Sequence, residues 1–147
     1  MPLALRFLHL LGMAVFVGAG LAAWLTNRAA LAERGDTALG LDRLHRTLAR
    51  VTNWGSVAVV IAGLGAIRAF RWDGPNMPRE TWLMVMLLAG IAASAIAGIA
   101  GARTRKLLAM TADADRAAAR QKLAGLWMAF LGLCVVAAAS GVFRFRL

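Results

Sequence analysis

The amino-acid sequence predicts an all-α integral membrane protein, an antiparallel up-down bundle of four transmembrane helices. Two observations support this fold class. Of the 147 residues, 61% are hydrophobic and 16% are charged, whereas soluble domains have roughly 45–50% apolar and about 25% charged residues. The apolar residues also form four segments close to the roughly 20 residues that a helix needs to cross the bilayer core. We therefore expect one transmembrane domain over residues 1–147.

The predicted spans cover residues 5–26, 50–70, 81–103 and 122–143. The first has the length of a retained span rather than of a cleaved signal peptide. Gly35 and Asp36 mark the turn after it, and leucines at helical spacing over residues 37–50 predict an amphipathic helix that leads into the second span. Pro75 and Pro78 predict the clearest loop, between the second and third spans.

Basic residues are unevenly distributed between the two sides of the predicted bundle. Since Lys and Arg favour the cytoplasmic side, both termini are expected on the outer side of a bacterial cytoplasmic (inner) membrane. The net charge of +10 is then explained by topology and lipid contact, so no nucleic-acid partner is expected. The lipid bilayer is the expected partner, together with a membrane complex or a second copy of the chain. The inner side carries eleven of the 17 basic residues: Arg28, Arg34, Arg43, Arg46, Arg50, Arg103, Arg105, Lys106, Arg116, Arg120 and Lys122.

His9 is the strongest candidate for chemistry, because an imidazole inside a span needs a hydrogen-bond partner or a metal ion. It can bond to a neighbouring helix, reach the interface, ligate a cofactor or relay protons. Met84 and Met86, near the start of the third span, are expected at a similar depth. With His9 they are candidate ligands for haem b or copper, and Met77 and Cys134 are weaker candidates. Methionine is also a common apolar filler in membrane helices.

His45 lies in an arginine-rich segment before the second span. We expect its side chain to be solvated or to face lipid headgroups, with binding of an anionic group such as a haem propionate as the alternative. All carboxylates are predicted in loops or at helix ends. That distribution disfavours a proton pump or a cation-coupled carrier, which use buried acids.

Small and aromatic residues give weaker signals about packing. Gly90, Ser94 and Gly98 recur at four-residue spacing, which predicts a face where another helix approaches closely. Trp54 and Trp127 are expected near the inner interface of the membrane, or else packed between helices.

The start of the chain, Leu5-Arg6-Phe7-Leu8-His9-Leu10-Leu11-Gly12 followed by Phe16-Val17-Gly18-Ala19-Gly20, resembles the first helix of a group of small bacterial membrane proteins. This group contains the HemJ-type protoporphyrinogen oxidases and the CopD-like copper-resistance membrane domains. The resemblance implies haem binding by His9. It also implies a divergent member, because Met86 stands where a lysine of the third helix is expected, and Met86 becomes a candidate second axial ligand.

Three functional hypotheses result. The leading one is a haem b-binding redox or haem-handling protein with His9 as an axial ligand and small helix faces that make room for the macrocycle. The second is a non-catalytic accessory subunit or assembly factor of a larger membrane complex, which needs no cofactor. The third is copper handling through His9 and the methionines at positions 77, 84 or 86.

Overall fold

The structure, a computed structural model, describes residues 3–69 and 81–143, with side chains at 3–5, 7–65 and 84–140. These residues form four helices and no strand. The helices are α1 (Leu3–Ala32), α2 (Gly35–Ala69), α3 (Thr81–Ala109) and α4 (Asp113–Phe143). All four are long and apolar enough to cross a membrane, which confirms the prediction of four helices of membrane-spanning length and composition. The predicted proline-containing loop, with Met77, lies outside the described residues.

The helices continue beyond the predicted spans at the first and third connections. Helix α1 ends at Ala32 and α2 begins at Gly35, so only residues 33–34 separate them. Gly35 has a φ of +60°, a backbone conformation that glycine adopts without a steric penalty. The amphipathic helix predicted over residues 37–50 is confirmed, because it forms the first part of α2 without interruption.

Helices α2 and α4 are the principal neighbours of α1, and they are also the principal neighbours of α3. The pairs α1–α3 and α2–α4 therefore form the diagonals of the bundle. Along the contact between α1 and α2, His9 faces Gly63 and Phe16 faces Gly55, so rising numbers on α1 meet falling numbers on α2. A Cβ at Gly55 would lie 2.9 Å from the Phe16 backbone, and only glycine permits this approach.

Three aromatic side chains, Phe16, Trp127 and Phe130, fill the core near the middle of α1 and α4. The ring of Phe130 lies 4.9 Å from that of Phe16 and 5.4 Å from that of Trp127, in both cases edge to face. This geometry places the positive edge of one ring against the negative face of another. Trp127 is fully buried, so of its two predicted roles packing between helices is the observed one.

The face of α3 that packs against the other helices differs from the predicted one. A Cβ at Gly90 or Gly98 would meet nothing within 4 Å, so the expectation that these glycines line a helix contact is wrong within this bundle. The buried side of α3 is a stripe of alanines, which allow nearly as close an approach as glycine and cost less conformational entropy. The stripe consists of Ala89, Ala93, Ala97 and Ala100.

Candidate functional sites at the two ends of the bundle

His9 lies near the beginning of α1 and is half-buried against α2. Its Nδ1 is shielded from solvent and has no hydrogen-bond partner among the described residues. The ring carbon Cε1 would be 3.9 Å from a Cβ at Gly63, an ordinary van der Waals distance, so the imidazole lies against α2 with room there for little more than a methyl group. A buried nitrogen without a partner is destabilising by about 1–3 kcal/mol, so a group that bonded to Nδ1 would stabilise the folded protein.

The methionines predicted to act with His9 lie on α3, across the diagonal of the bundle from α1. Met84 is 47% exposed at the surface, and Met86 is half-buried. If His9 and Met86 ligated the same group, that group would have to reach from α1 to α3 across the bundle. Their role as a ligand pair stays a prediction. Cys134 is buried in the core. Nowhere in residues 3–69 and 81–143 do three His, Cys, Asp or Glu side chains gather as for a metal ion.

A second site, which the sequence analysis missed, is an ion pair buried near the α1–α2 connection. Asp42 and Arg120 come from the diagonal helices α2 and α4. Arg120 Nε donates to Asp42 Oδ1 at 3.0 Å, and Nη2 donates to Oδ2 at 2.6 Å. Asp42 is only 1% exposed. Two parallel charge-assisted bonds match the guanidinium to the carboxylate and offset the loss of hydration of both charges.

His45 follows Asp42 by one turn of α2, and the expectation that it is solvated is wrong. Its side chain is 0% exposed, and Trp127 Nε1 donates a hydrogen bond of 2.7 Å to its Nε2. Since the indole N–H can only donate, Nε2 is unprotonated and the neutral ring carries its proton on Nδ1. With one nitrogen accepting and the other protonated, His45 cannot ligate a metal ion in this arrangement. Its Nδ1 has no partner within the described residues.

Asn27 joins α1 to the same group. Its Nδ2 donates to the backbone carbonyl of Arg120 at 2.9 Å, while its Oδ1 has no partner in the described part of the chain. Side chains of three helices are thus connected at this end of the bundle. We call the group the polar cluster, consisting of Asn27, Asp42, His45, Arg120 and Trp127.

The sequence does contain a signal for the polar cluster, in the register of α2. Ala38, Asp42, His45 and Ala49 recur at intervals of three or four residues, and all are buried. A stripe of small residues interrupted by an acid and a histidine indicates a buried polar site. The leucines of the same segment suggest a different apolar face, but Leu44 is 49% exposed. The spacing of the leucines alone therefore does not identify the buried face of this segment.

A hollow of about 410 Å³ opens next to the polar cluster, between the α1–α2 connection and the beginning of α4. Its lining includes Glu33, Arg34, Asp113 and Arg116. Arg116 donates to the carbonyl of Met110 at 2.9 Å and lies 3.6 Å from the Asp113 carboxylate. Because both signs of charge line this hollow, it has no strong preference for an anion or a cation.

A second hollow, of about 320 Å³, is an apolar groove on the surface between α1 and α2. Gly12 and Gly55 form its floor, and its walls include Val15, Trp54 and Ala58. Trp54 is 75% exposed, so of its two predicted roles packing between the helices of this bundle is not observed. We call this hollow the α1–α2 groove. No protein-family model, curated protein or solved structure matches the chain.

Proposed function

We propose that this chain is a bacterial inner-membrane protein that binds haem b, with His9 as an axial ligand. The observation that carries the proposal is the half-buried imidazole of His9, whose Nδ1 is shielded from solvent and has no partner among the described residues. Imidazole is a common axial ligand of haem iron. Bound haem would supply redox chemistry, or would be the cargo of a haem-handling protein.

In the proposed topology the helices alternate in direction and both termini lie outside the cytoplasm. The excess of basic residues at the first and third connections supports this orientation. The polar cluster then lies toward the cytoplasm, and His9 lies in the outer leaflet. Haem would accordingly be bound on the outer side.

Packing between α1 and α2 limits where the macrocycle can lie. One turn from His9, a Cβ at Gly12 would be only 3.1 Å from the Val59 side chain. A haem plane cannot pass between helices in such contact. The contact continues outward, since Leu5 Cδ2 would be 3.5 Å from a Cβ at Gly65, so the group would have to lie beside the α1–α2 contact and not between these two helices.

Met86 is the proposed second ligand, and its depth can be compared with that of His9. Gly63 faces His9, and Asn53 lies beside Gly101 of α3. If α2 and α3 are antiparallel, this register places Met86 about 7.5 Å farther out than His9, at 1.5 Å per residue. The outward displacement agrees with a haem at the outer end of the bundle.

Absorption spectroscopy tests the proposal on protein purified in detergent from cells supplied with haem. We expect a Soret band in the wild type that His9→Ala abolishes and Met86→Leu shifts. Met128→Leu is the matched control, because Met128 is 54% exposed on α4, and it should leave the spectrum unchanged. A colourless wild type would refute haem binding, and an unaltered spectrum in His9→Ala would refute the ligand role. Copper found by elemental analysis of colourless, copper-loaded protein would support the copper hypothesis instead.

A second function, that of an accessory subunit or assembly factor, is favoured by the small-residue face that α3 leaves unused. The space beside Gly90 and Gly98 is open, and the Ser94 hydroxyl donates to the carbonyl of Gly90 in its own helix at 2.9 Å. Such a face lets a helix of another protein approach closely in lipid. A partner should co-purify with the wild type in mild detergent and be lost in Gly98→Leu. The control variant Gly125→Leu, at an equally open position on α4, should still co-purify with the partner. Isolation of the wild type alone, as a coloured protein, would contradict this function.

A further inference from the structure

The α1–α2 groove begins beside a row of basic side chains on α2. Arg50 lies one turn before Trp54, and Arg43 lies two turns before Arg50. Spacings of four and seven residues place the three side chains on one side of the helix. Both arginines are exposed, and neither forms an ion pair within the described residues. Asp42, next to Arg43 in the chain, forms its ion pair with Arg120. The charges of Arg43 and Arg50 are therefore not neutralised by an ion pair within the described residues.

The shape of the groove is fixed by the contact between its two helices. A Cβ at Gly12 would lie 3.1 Å from Val59, and one at Gly55 would lie 2.9 Å from the Phe16 backbone. Side chains therefore cannot fill the floor without pushing α1 and α2 apart. The groove follows residues 51–58 of α2, which is about 10 Å of helix.

We propose that the α1–α2 groove binds an acyl chain of an anionic phospholipid whose phosphate is held by Arg50, with Arg43 adding positive charge. Along α2 the order is exposed arginine, exposed indole and apolar groove, which is also the order of headgroup, interface and acyl chain in a lipid. Arginine matches phosphate because its planar fork donates two hydrogen bonds to it. A transmembrane helix of another protein could cover the groove, but it would leave the arginines without a counter-charge.

Native mass spectrometry of delipidated protein tests the charge component of the site. The protein is mixed with equal amounts of phosphatidylglycerol and phosphatidylcholine that carry the same acyl chains. The wild type should retain phosphatidylglycerol preferentially. The double variant Arg43→Gln/Arg50→Gln should lose this preference by about fivefold per arginine, or about thirtyfold for the pair. Equal retention of both lipids by the wild type would overturn the proposal.

A matched control distinguishes a site from general attraction to charge. Arg103 and Arg105 are also exposed arginines, on α3, and Arg103→Gln/Arg105→Gln should leave the preference for phosphatidylglycerol unchanged. An equal loss in both double variants would show that the charge acts diffusely, and the proposal would fail. Competition by inorganic phosphate alone would indicate a free-phosphate site and would also overturn it.

The acyl-chain component is tested separately. Ala58 is an exposed wall residue of the groove, and Ala95 is exposed on α3. Ala58→Phe should reduce retention of phosphatidylglycerol severalfold by filling the groove, whereas Ala95→Phe should not. If Ala58→Phe does not fold, a short-chain phosphatidylglycerol offered to the wild type provides the same test. Equal retention of short and long chains, or full retention by Ala58→Phe, would contradict binding in the groove.

Discussion

The two ends of the bundle use different means to bring helices together. At the polar cluster, Asp42 and Arg120 form a bidentate ion pair, and His45 is bonded to Trp127. Toward His9, small residues on α1 and α2 provide close contact, and the imidazole has a buried nitrogen without a partner in the described ranges 3–69 and 81–143. In lipid there is little hydrophobic drive between helices, so both packing and hydrogen bonds are available to specify their arrangement.

The two ends also differ in how easily a ligand could be accommodated. Within the polar cluster, His45 Nε2 accepts a hydrogen bond from Trp127, and both carboxylate oxygens of Asp42 accept hydrogen bonds from Arg120. His45 Nδ1 and Asn27 Oδ1 in this cluster also have no partner among the described residues, but a ligand that displaced Trp127 or Arg120 would break bonds that connect the helices. At His9 a ligand would bond to an atom without a partner in the described part of the chain, and no hydrogen bond would be displaced. The polar cluster is therefore expected to determine stability, and the His9 end to determine binding.

The largest effect is expected from Arg120→Leu, which leaves the Asp42 carboxylate buried without its counter-charge. We expect a loss of about 3–5 kcal/mol in the free energy of unfolding, measured by denaturation of the purified protein in detergent. The double variant Asp42→Leu/Arg120→Leu should recover most of the loss, because it buries no unpaired charge. If the double variant is as unstable as the single one, the pair contributes by packing rather than by charge.

A smaller loss is expected from Gly55→Ala, at the contact between α1 and α2. The added Cβ would meet the Phe16 backbone at 2.9 Å, and such overpacking destabilises by about 1–3 kcal/mol. Gly98→Ala is the control, because a Cβ there meets nothing within 4 Å, and it should be neutral or stabilising by up to about 1 kcal/mol. Equal effects of the two variants on the unfolding free energy would contradict the close contact.

Hydropathy predicts the four helices well, because about 20 consecutive apolar residues leave few alternatives. It does not predict which face of a helix is buried, because in lipid both faces are apolar and periodicity loses its meaning. This is why Gly90 and Gly98 were assigned to a contact that Ala93 and its neighbours make. His45 was expected in solvent for a different reason, because arginines surround it in the sequence. Its partner Trp127 lies 82 residues away, a pairing that only the fold creates.

Trp127→Phe tests the hydrogen bond of the polar cluster with little change in the aromatic packing. The variant leaves His45 Nε2 without its donor, and we expect a loss of about 1 kcal/mol, in the range measured for hydrogen bonds between membrane helices. Trp54→Phe, at a position 75% exposed on α2, should change the unfolding free energy much less. A similar small loss in both variants would mean that the His45–Trp127 bond contributes nothing measurable.

The smallest change in the free energy of unfolding is expected from His9→Leu. Its sign should be opposite to that of the substitutions in the polar cluster. In protein without a cofactor, the substitution removes a buried nitrogen for which the described part of the chain offers no partner, so it should stabilise by about 0.5–1 kcal/mol. In protein loaded with haem the sign should reverse, because a ligand that binds the folded state stabilises it and the variant lacks the axial imidazole. Unfolding of both proteins with and without added haem measures the difference. Destabilisation of the cofactor-free variant by more than about 1 kcal/mol would show that His9 has a structural role, as the residues of the polar cluster do.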